Sequence, residues 1–203
     1  MSGLQIYGIA ASRTFRTLWM ALELGLDLEQ VPVGFGEDGV KSPSFLAINP
    51  NGRVPAIREG GFVLWESMAI NLYLAKKYDH GLYPRDLEDE ARCWQWSFWT
   101  VTEIEQLTIV WASNCFVLPE EKRDAAKAAD ALTQLQRPLR VLDKALAESL
   151  FLLGPDFTVA DLNLASAMFR ALRMDLSAHP NVKIWLDRCY ARPAAIAAVK
   201  KRS

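Results

Sequence analysis

Three short stretches of this chain set hydroxyl, carboxylate and turn-forming residues where they can hold an extended, anionic ligand. Asn49-Pro50-Asn51-Gly52-Arg53-Val54-Pro55-Ala56-Ile57 is a turn cluster running into an apolar strand broken by proline. Pro55 would cost a central strand one ladder hydrogen bond, so the chain there is an edge or an interruption. A cis Val54–Pro55 bond would turn the Val54 N–H and C=O outward, where an extended peptide can pair with them. After a short hairpin, Glu66-Ser67 opens the apolar-periodic Met68-Ala69-Ile70. A hydroxyl at a helix N-terminus attracts a carboxylate, though a plain cap has the same sequence. The third stretch, Ala11-Ser12-Arg13-Thr14, leads from a strand into Phe15, Leu18, Trp19, Ala21 and Leu22 at helical spacing. Together the second and third stretches describe two helix starts bearing hydroxyls, and the first an exposed backbone for a small acidic peptide.

The elements that must position these groups can be read in order. Leu4 to Ile9 alternates as a strand, Gly25 is a natural helix stop, and Leu28 to Val33 is a second strand. Strand, helix, strand implies a parallel pair with a right-handed crossover. Gly34 to Gly39 is an acidic loop, and Ser42 to Ile48 an irregular helix. Val54 to Ile57 and Phe62 to Leu64 are strands about Glu59-Gly60-Gly61, and Ser67 to Tyr78 is helical. The sum, β-α-β-α-β-β-α, is an α/β domain over residues 1–80. His80-Gly81-Leu82-Tyr83-Pro84-Arg85-Asp86 supplies a linker, 81–86, and residues 87–203 read as all-α. There a long uninterrupted helix from about Leu87 to Phe116 carries Trp94, Trp96, Phe98, Trp99 and Trp111, with apolar residues on several faces. A helix entering at Pro119 carries Pro138 inside it, and Phe157-Thr158-Val159-Ala160-Asp161-Leu162 forms a capping box with a structural role.

Bulk composition narrows the function classes. The 203 residues are 51% hydrophobic and 23% charged, with a formal net charge of −1, as expected of a globular chain with a substantial core. Acidic and basic residues are interspersed, so there is no electrostatic footprint for nucleic acid or an anionic membrane. No apolar run approaches the length of a membrane span, and Met1-Ser2-Gly3-Leu4-Gln5 lacks the regions of a signal peptide, which points to the cytoplasm. Cys93, Cys115 and Cys189 are odd in number, widely spaced and without a C-x-x-C pair, and His80 and His179 are the only histidines. No metal site, disulfide framework or Ser-His-Asp triad is expected.

The order N-P-x-G-x-V-P, hairpin, E-S-x-A-I resembles the glutathione-binding half of the cytosolic glutathione transferases. Ala11-Ser12 followed by Arg16 and Ala21-Leu22 is similar to their serine-type members, of the phi and theta kind or bacterial. The resemblance implies a thioredoxin-like N-terminal domain, then an all-α helical C-terminal domain that contributes the hydrophobic substrate site. It implies glutathione as co-substrate, a homodimer and a detoxifying conjugation to a hydrophobic electrophile. Ser12 would donate to the sulfur, since a free thiol has a pKa of about 8.5 and only the thiolate attacks. Val54, ahead of Pro55, would pair its backbone with the cysteinyl unit, and Glu66 and Ser67 would hold the γ-glutamyl end. Lys41 and Arg53 are candidates for the glycyl carboxylate. Trp111, with Cys115 near it, is the candidate on the aromatic helix for the electrophile, expected between Ser12 and that helix. Tyr7 and Thr14 are competing hydroxyls. The alternatives from the same fold are a non-catalytic binding or carrier module, and a glutathione-dependent peroxidase, disulfide reductase or isomerase. A mixed-disulfide mechanism on the protein's own thiol is disfavoured, because no cysteine precedes residue 93.

Overall fold

The computed structural model describes residues 3–202. The chain forms two compact units; the first runs to Tyr83 and takes in the chain again from Ala191, and the second is Pro84–Tyr190. By sequence, everything beyond the linker reads as one helical domain. The difference lies in α9 (Pro193–Lys200), which packs on α1 (Thr14–Glu23). Ala195 and Ala198 are both fully buried, and residues this small let two helices approach closely.

In the first unit a four-stranded sheet has the order β2-β1-β3-β4, with β1 Leu4–Tyr7, β2 Leu28–Val31, β3 Ala56–Glu59 and β4 Phe62–Trp65. β1 and β2 are parallel, joined through α1, and β3 is antiparallel to both β1 and β4. In register, Ile6 faces Ile57 and Tyr7 faces Ala56, and Ile6, Ile57, Leu18 and Trp19 are fully buried. α1 stops as the sequence suggests. Gly25 takes φ 62°, its N–H bonds the Leu22 carbonyl, and the Leu26 N–H bonds that of Ala21, the paired bonds of a Schellman ending. α2 (Pro43–Leu46) is a single turn capped by Ser42, whose hydroxyl accepts the Phe45 N–H at 3.3 Å. α3 (Ser67–Tyr78) packs against α1 and β4. β3 begins only at Ala56, so Val54 and Pro55 lie ahead of the ladder rather than inside it.

The second unit is helical. The expected unbroken helix is instead α4 (Leu87–Trp99), a π-turn over Thr100–Ile104, α5 (Glu105–Ala112) and a second π-turn over Ser113–Val117. The Thr100 hydroxyl bonds back to the Trp96 carbonyl at 2.7 Å, and the Asn114 amide to that of Val110 at 2.9 Å, side-chain competition that accompanies local helix irregularity. α6 (Ala125–Ala145) starts later than the Pro119 expectation, because Asp124 caps the Lys127 N–H at 3.0 Å; Pro138 lies inside it. α7 (Val159–Ala167) and α8 (Pro180–Tyr190) complete the unit. The predicted capping box is present, and Asp161 does more than cap. One carboxylate oxygen accepts the Leu152 N–H and Trp185 Nε1, both at 2.9 Å, and the other accepts the Thr158 N–H and hydroxyl, both at 3.0 Å.

Candidate active site

The Ser12 turn is built from the end of β1. Gly8 follows the strand at φ 126°, and a Cβ there would stand 2.1 Å from Thr14 Oγ1 and 2.9 Å from Val54 Cβ. Glycine is therefore what lets the first helix, the first strand and the Val54 segment meet at one point. The chain then turns, with the Ser12 N–H on the Ile9 carbonyl at 3.0 Å and the Phe15 N–H on that of Ser12 at 3.2 Å. The half-buried Ser12 hydroxyl accepts the Thr14 N–H at 3.1 Å. Its single proton has two protein acceptors, the Ile9 carbonyl at 2.6 Å and Thr14 Oγ1 at 2.9 Å. Thr14 is fully buried, with its hydroxyl 3.5 Å from the Tyr7 carbonyl, so it supports Ser12 from beneath. Tyr7 packs with Val33, Phe45, Ile48 and Val54 and points its hydroxyl at Gln5 Oε1, 3.0 Å away. Of the three hydroxyls Ser12 has the greatest exposure.

The turn before the proline is held by Asn49, which is 2% exposed. Its amide donates to the Arg53 carbonyl at 2.6 Å, and its Oδ1 accepts the Asn51 N–H at 3.0 Å and the Asn51 amide at 2.9 Å. The Val54–Pro55 bond is cis. Val54 buries its side chain in the Tyr7 cluster, while among the described residues its N–H and C=O have no hydrogen-bond partner. Buried backbone groups are nearly always paired, so this open edge is suited to an extended ligand. Gly52, at φ 60°, brings its Cα face to the Val40 carbonyl, where a Cβ would stand 3.1 Å away. That contact sets the Lys41 loop beside the Arg53 turn. Both cations are exposed, and Lys41 pairs with Glu37 at 2.7 Å, a surface pair that a ligand carboxylate can displace at little cost.

Glu66 enters α3 with φ 75° and ψ 111°. A non-glycine residue at positive φ stores about 1–3 kcal/mol, so the backbone holds Glu66 in a strained, exposed pose directly before the helix N-terminus. Ser67, the first residue of α3, is 5% exposed and accepts from Arg16 Nη1 at 3.4 Å. Arg16 is itself buried, and its carbonyl accepts the Asn71 amide at 3.5 Å. Backbone amides at a helix start, a hydroxyl and a buried guanidinium together favour a carboxylate. The three sequence stretches thus converge: Gly8 joins the Ser12 turn to Val54, and Arg16 joins it to Ser67.

The same arrangement can be compared with known proteins. Residues 2–76 match the glutathione S-transferase N-terminal domain and residues 104–193 the glutathione S-transferase C-terminal domain. Glutathione S-transferase 3 of Zea mays is 34% identical over 210 residues, covering 96% of this chain and 92% of that protein. The chain belongs to the glutathione S-transferase family. Glutathione S-transferase PARB of Nicotiana tabacum is 29% identical, covering 94% of each chain. A theta class glutathione S-transferase of Xanthomonas axonopodis pv. citri, solved with glutathione bound, is 34% identical with a TM-score of 0.90, covering 98% of each chain.

In this glutathione S-transferase family member Trp111 and Cys115 belong to the second unit, and Gly8, Asn49 and Arg202 add to the first. Trp111 lies in α5 of the second unit, 8% exposed, its ring edge-on to Phe116 at 5.6 Å, and Phe116 carries the Arg173 guanidinium 4.7 Å from its centre. Cys115 is exposed in the second π-turn. Gly8 and Asn49 had signals in the sequence, a glycine at a strand end and an asparagine opening a turn. Arg202 had none: its Nη1 donates to the carbonyls of Ala10 at 3.1 Å and Ser12 at 3.3 Å, and its Nη2 to that of Ala11 at 3.3 Å.

Proposed function

We infer that this chain is a glutathione transferase that holds glutathione on its first unit and turns the thiol into a thiolate through Ser12. The observation that carries the reading is the junction at Gly8, Thr14, Val54, Arg16 and Ser67, which sets one half-buried hydroxyl, one open backbone edge and one helix N-terminus in a single unit. The γ-glutamyl carboxylate takes the start of α3 and Ser67, its ammonium takes Glu66, and the cysteinyl amide pairs with Val54. Lys41 and Arg53 face the glycyl carboxylate.

At the sulfur, the Ser12 hydroxyl rotates its proton away from the Ile9 carbonyl and Thr14 Oγ1 and gives it to the thiolate as a hydrogen bond. Thr14 N–H continues to bond the Ser12 oxygen, so rotation costs no donor to the oxygen. At pH 7 a thiol of pKa about 8.5 is about 3% ionised. Lowering that pKa by about two units, about 2.7 kcal/mol of preference for the anion, ionises about three-quarters of it. The thiol proton passes to solvent, and the thiolate forms a carbon–sulfur bond to the electrophile and expels its leaving group or adds to it. Trp111 is assigned to the hydrophobic electrophile.

A homodimer suits two apolar surfaces. Phe62 and Trp65 are exposed on the edge strand β4, and Leu87, Trp94 and Phe98 are exposed along α4. Faces of this kind mark protein contacts. No helix among the described residues is long and apolar enough to cross a membrane; a cytoplasmic, detoxifying role fits a transferase of this family. The test is conjugation of glutathione to a chlorodinitrobenzene with Ser12→Ala in parallel. The reading expects turnover by the wild type and a loss of at least about tenfold in kcat/KM for the variant. Binding of glutathione with no turnover on any electrophile, peroxide or disulfide would return the carrier reading.

A further inference from the structure

The turn that carries Ser12 is held from outside by a side chain 190 residues away. Among the described residues, the carbonyls of Ala10 and Ala11 have no backbone partner, and Arg202 collects both together with that of Ser12. Its guanidinium carbon lies 5.1 Å from the centre of the Phe15 ring, which fixes the plane of the fork. A guanidinium is the side chain that can serve three acceptors in a rigid geometry. Because C=O and N–H point oppositely across a trans peptide, the clamp also turns the N–H groups of Ala11, Ser12 and Arg13 away from Arg202.

α9 delivers this side chain. It runs antiparallel to α1, with Arg192 forked on Glu23 at 2.8 Å to each oxygen at one end and Arg202 on the Ser12 turn at the other. Glu23 is held in place by Trp19 Nε1 at 2.9 Å. Ser12 to Glu23 and Arg192 to Arg202 each span about 15 Å of helix, so α9 lies along the length of α1 with one separate anchor at each end.

We propose that Arg202 is a positioning residue that fixes the Ser12 hydroxyl against the glutathione sulfur and lends positive potential that favours the thiolate. The proposal rests on the reading of Ser12 as the thiol donor. Without the clamp the carbonyls of Ala10 and Ala11 turn to water and the Ser12 turn is free to shift. A displacement of about 1 Å at a reacting centre costs up to about a hundredfold in rate. The other charged groups on the elements packed around the turn are Arg13 just before α1, Arg16 on α1, Glu66 at the start of α3, and Lys200 and Lys201 beside Arg202. They are common to every variant below.

The test is the pH profile of kcat/KM for chlorodinitrobenzene conjugation at saturating glutathione, with melting temperatures, for four variants. Arg202→Ala should raise the pH midpoint by about half a unit to one unit and lower kcat/KM about tenfold near pH ~6.5, the deficit shrinking above pH ~9. Arg202→Lys keeps a cation without the fork, so it should hold the midpoint near the wild-type value while recovering only part of the rate. Glu23→Gln loosens the opposite end of α9 and should lower the melting temperature without moving the midpoint. Equal melting losses for Arg202→Ala and Glu23→Gln with neither midpoint moved would overturn the proposal, leaving Arg202 a structural residue. Ser12→Ala separates the two readings. If it raises the midpoint and Arg202→Ala does not, the Arg202 proposal alone falls; if it leaves midpoint and rate unchanged, the reading of Ser12 falls. Should Arg202→Ala not fold, Arg202→Gln keeps two donors without the charge and must still move the midpoint.

Discussion

Replacing Gly8 by alanine attacks the point where the parts of the proposed glutathione site meet. The new Cβ would stand 2.1 Å from Thr14 Oγ1, a fully buried atom inside α1, and 2.9 Å from Val54 Cβ. Neither is the free end of a flexible side chain. The backbone at φ 126° adds about 1–3 kcal/mol, and overpacking adds about 1–3 kcal/mol, so the total is about 2–6 kcal/mol against a stability of about 5–15 kcal/mol. Two units make a single unfolding transition a poor readout. Amide hydrogen exchange by mass spectrometry resolves them: protection in β1, α1 and α3 should drop, and protection in α7 and α8 should hold. Removing the nearer atom with Thr14→Ala in the Gly8→Ala background should make the double variant less destabilised than the sum of the two by about 1–2 kcal/mol. Additive losses, or a Gly8→Ala protein with wild-type protection and glutathione affinity, would refute the account of how these segments are joined.

Three further outcomes follow from particular residues. Glu66→Gly should keep or raise stability by up to about 1 kcal/mol in urea unfolding, because φ 75° no longer strains a side-chain-bearing residue, while KM for glutathione rises about tenfold. Asp161→Ala leaves the Leu152 N–H, the Thr158 N–H and Trp185 Nε1 without their acceptor in the core of the second unit, and should cost about 3–5 kcal/mol, seen as a fall of about 10 °C in melting temperature. Under native conditions an aromatic disulfide reagent should titrate Cys115 alone. Burial, with the charges of Asp161 and Glu90, pushes the Cys93 thiol up to about 12, and Cys189 is buried, so both should react only in denaturant.

The local structure of the two candidate binding segments was legible because its signals are contiguous. Asn49 to Ile57 and Glu66 to Ile70 encode turn chemistry, an interrupted ladder and a helix start within a few residues each, and the structure keeps that order. Gly25 likewise announced the end of α1. What stayed hidden depends on groups far apart in the chain: Arg16 meets Ser67 across 51 residues, and Arg192 meets Glu23 across 169. An alanine-rich helix such as α9 fits a bundle as well as it fits α1, so composition alone does not say which partner it packs on. The π-turns at Thr100 and Ser113 also escaped, since a one-residue slip in the hydrogen-bond ladder leaves helical periodicity almost unchanged. At Pro119 two start signals competed, and the side-chain cap of Asp124 prevailed over proline.

The central claim is that Ser12 ionises the thiol, and the most direct measurement is ultraviolet titration of the thiolate in the complex of glutathione with wild type and with Ser12→Ala. The account predicts a midpoint between about 6 and 7 for the wild type and a return toward about 8.5, the value of a free thiol, for the variant with glutathione still bound. A Ser12→Ala complex that titrates with the wild type would contradict it.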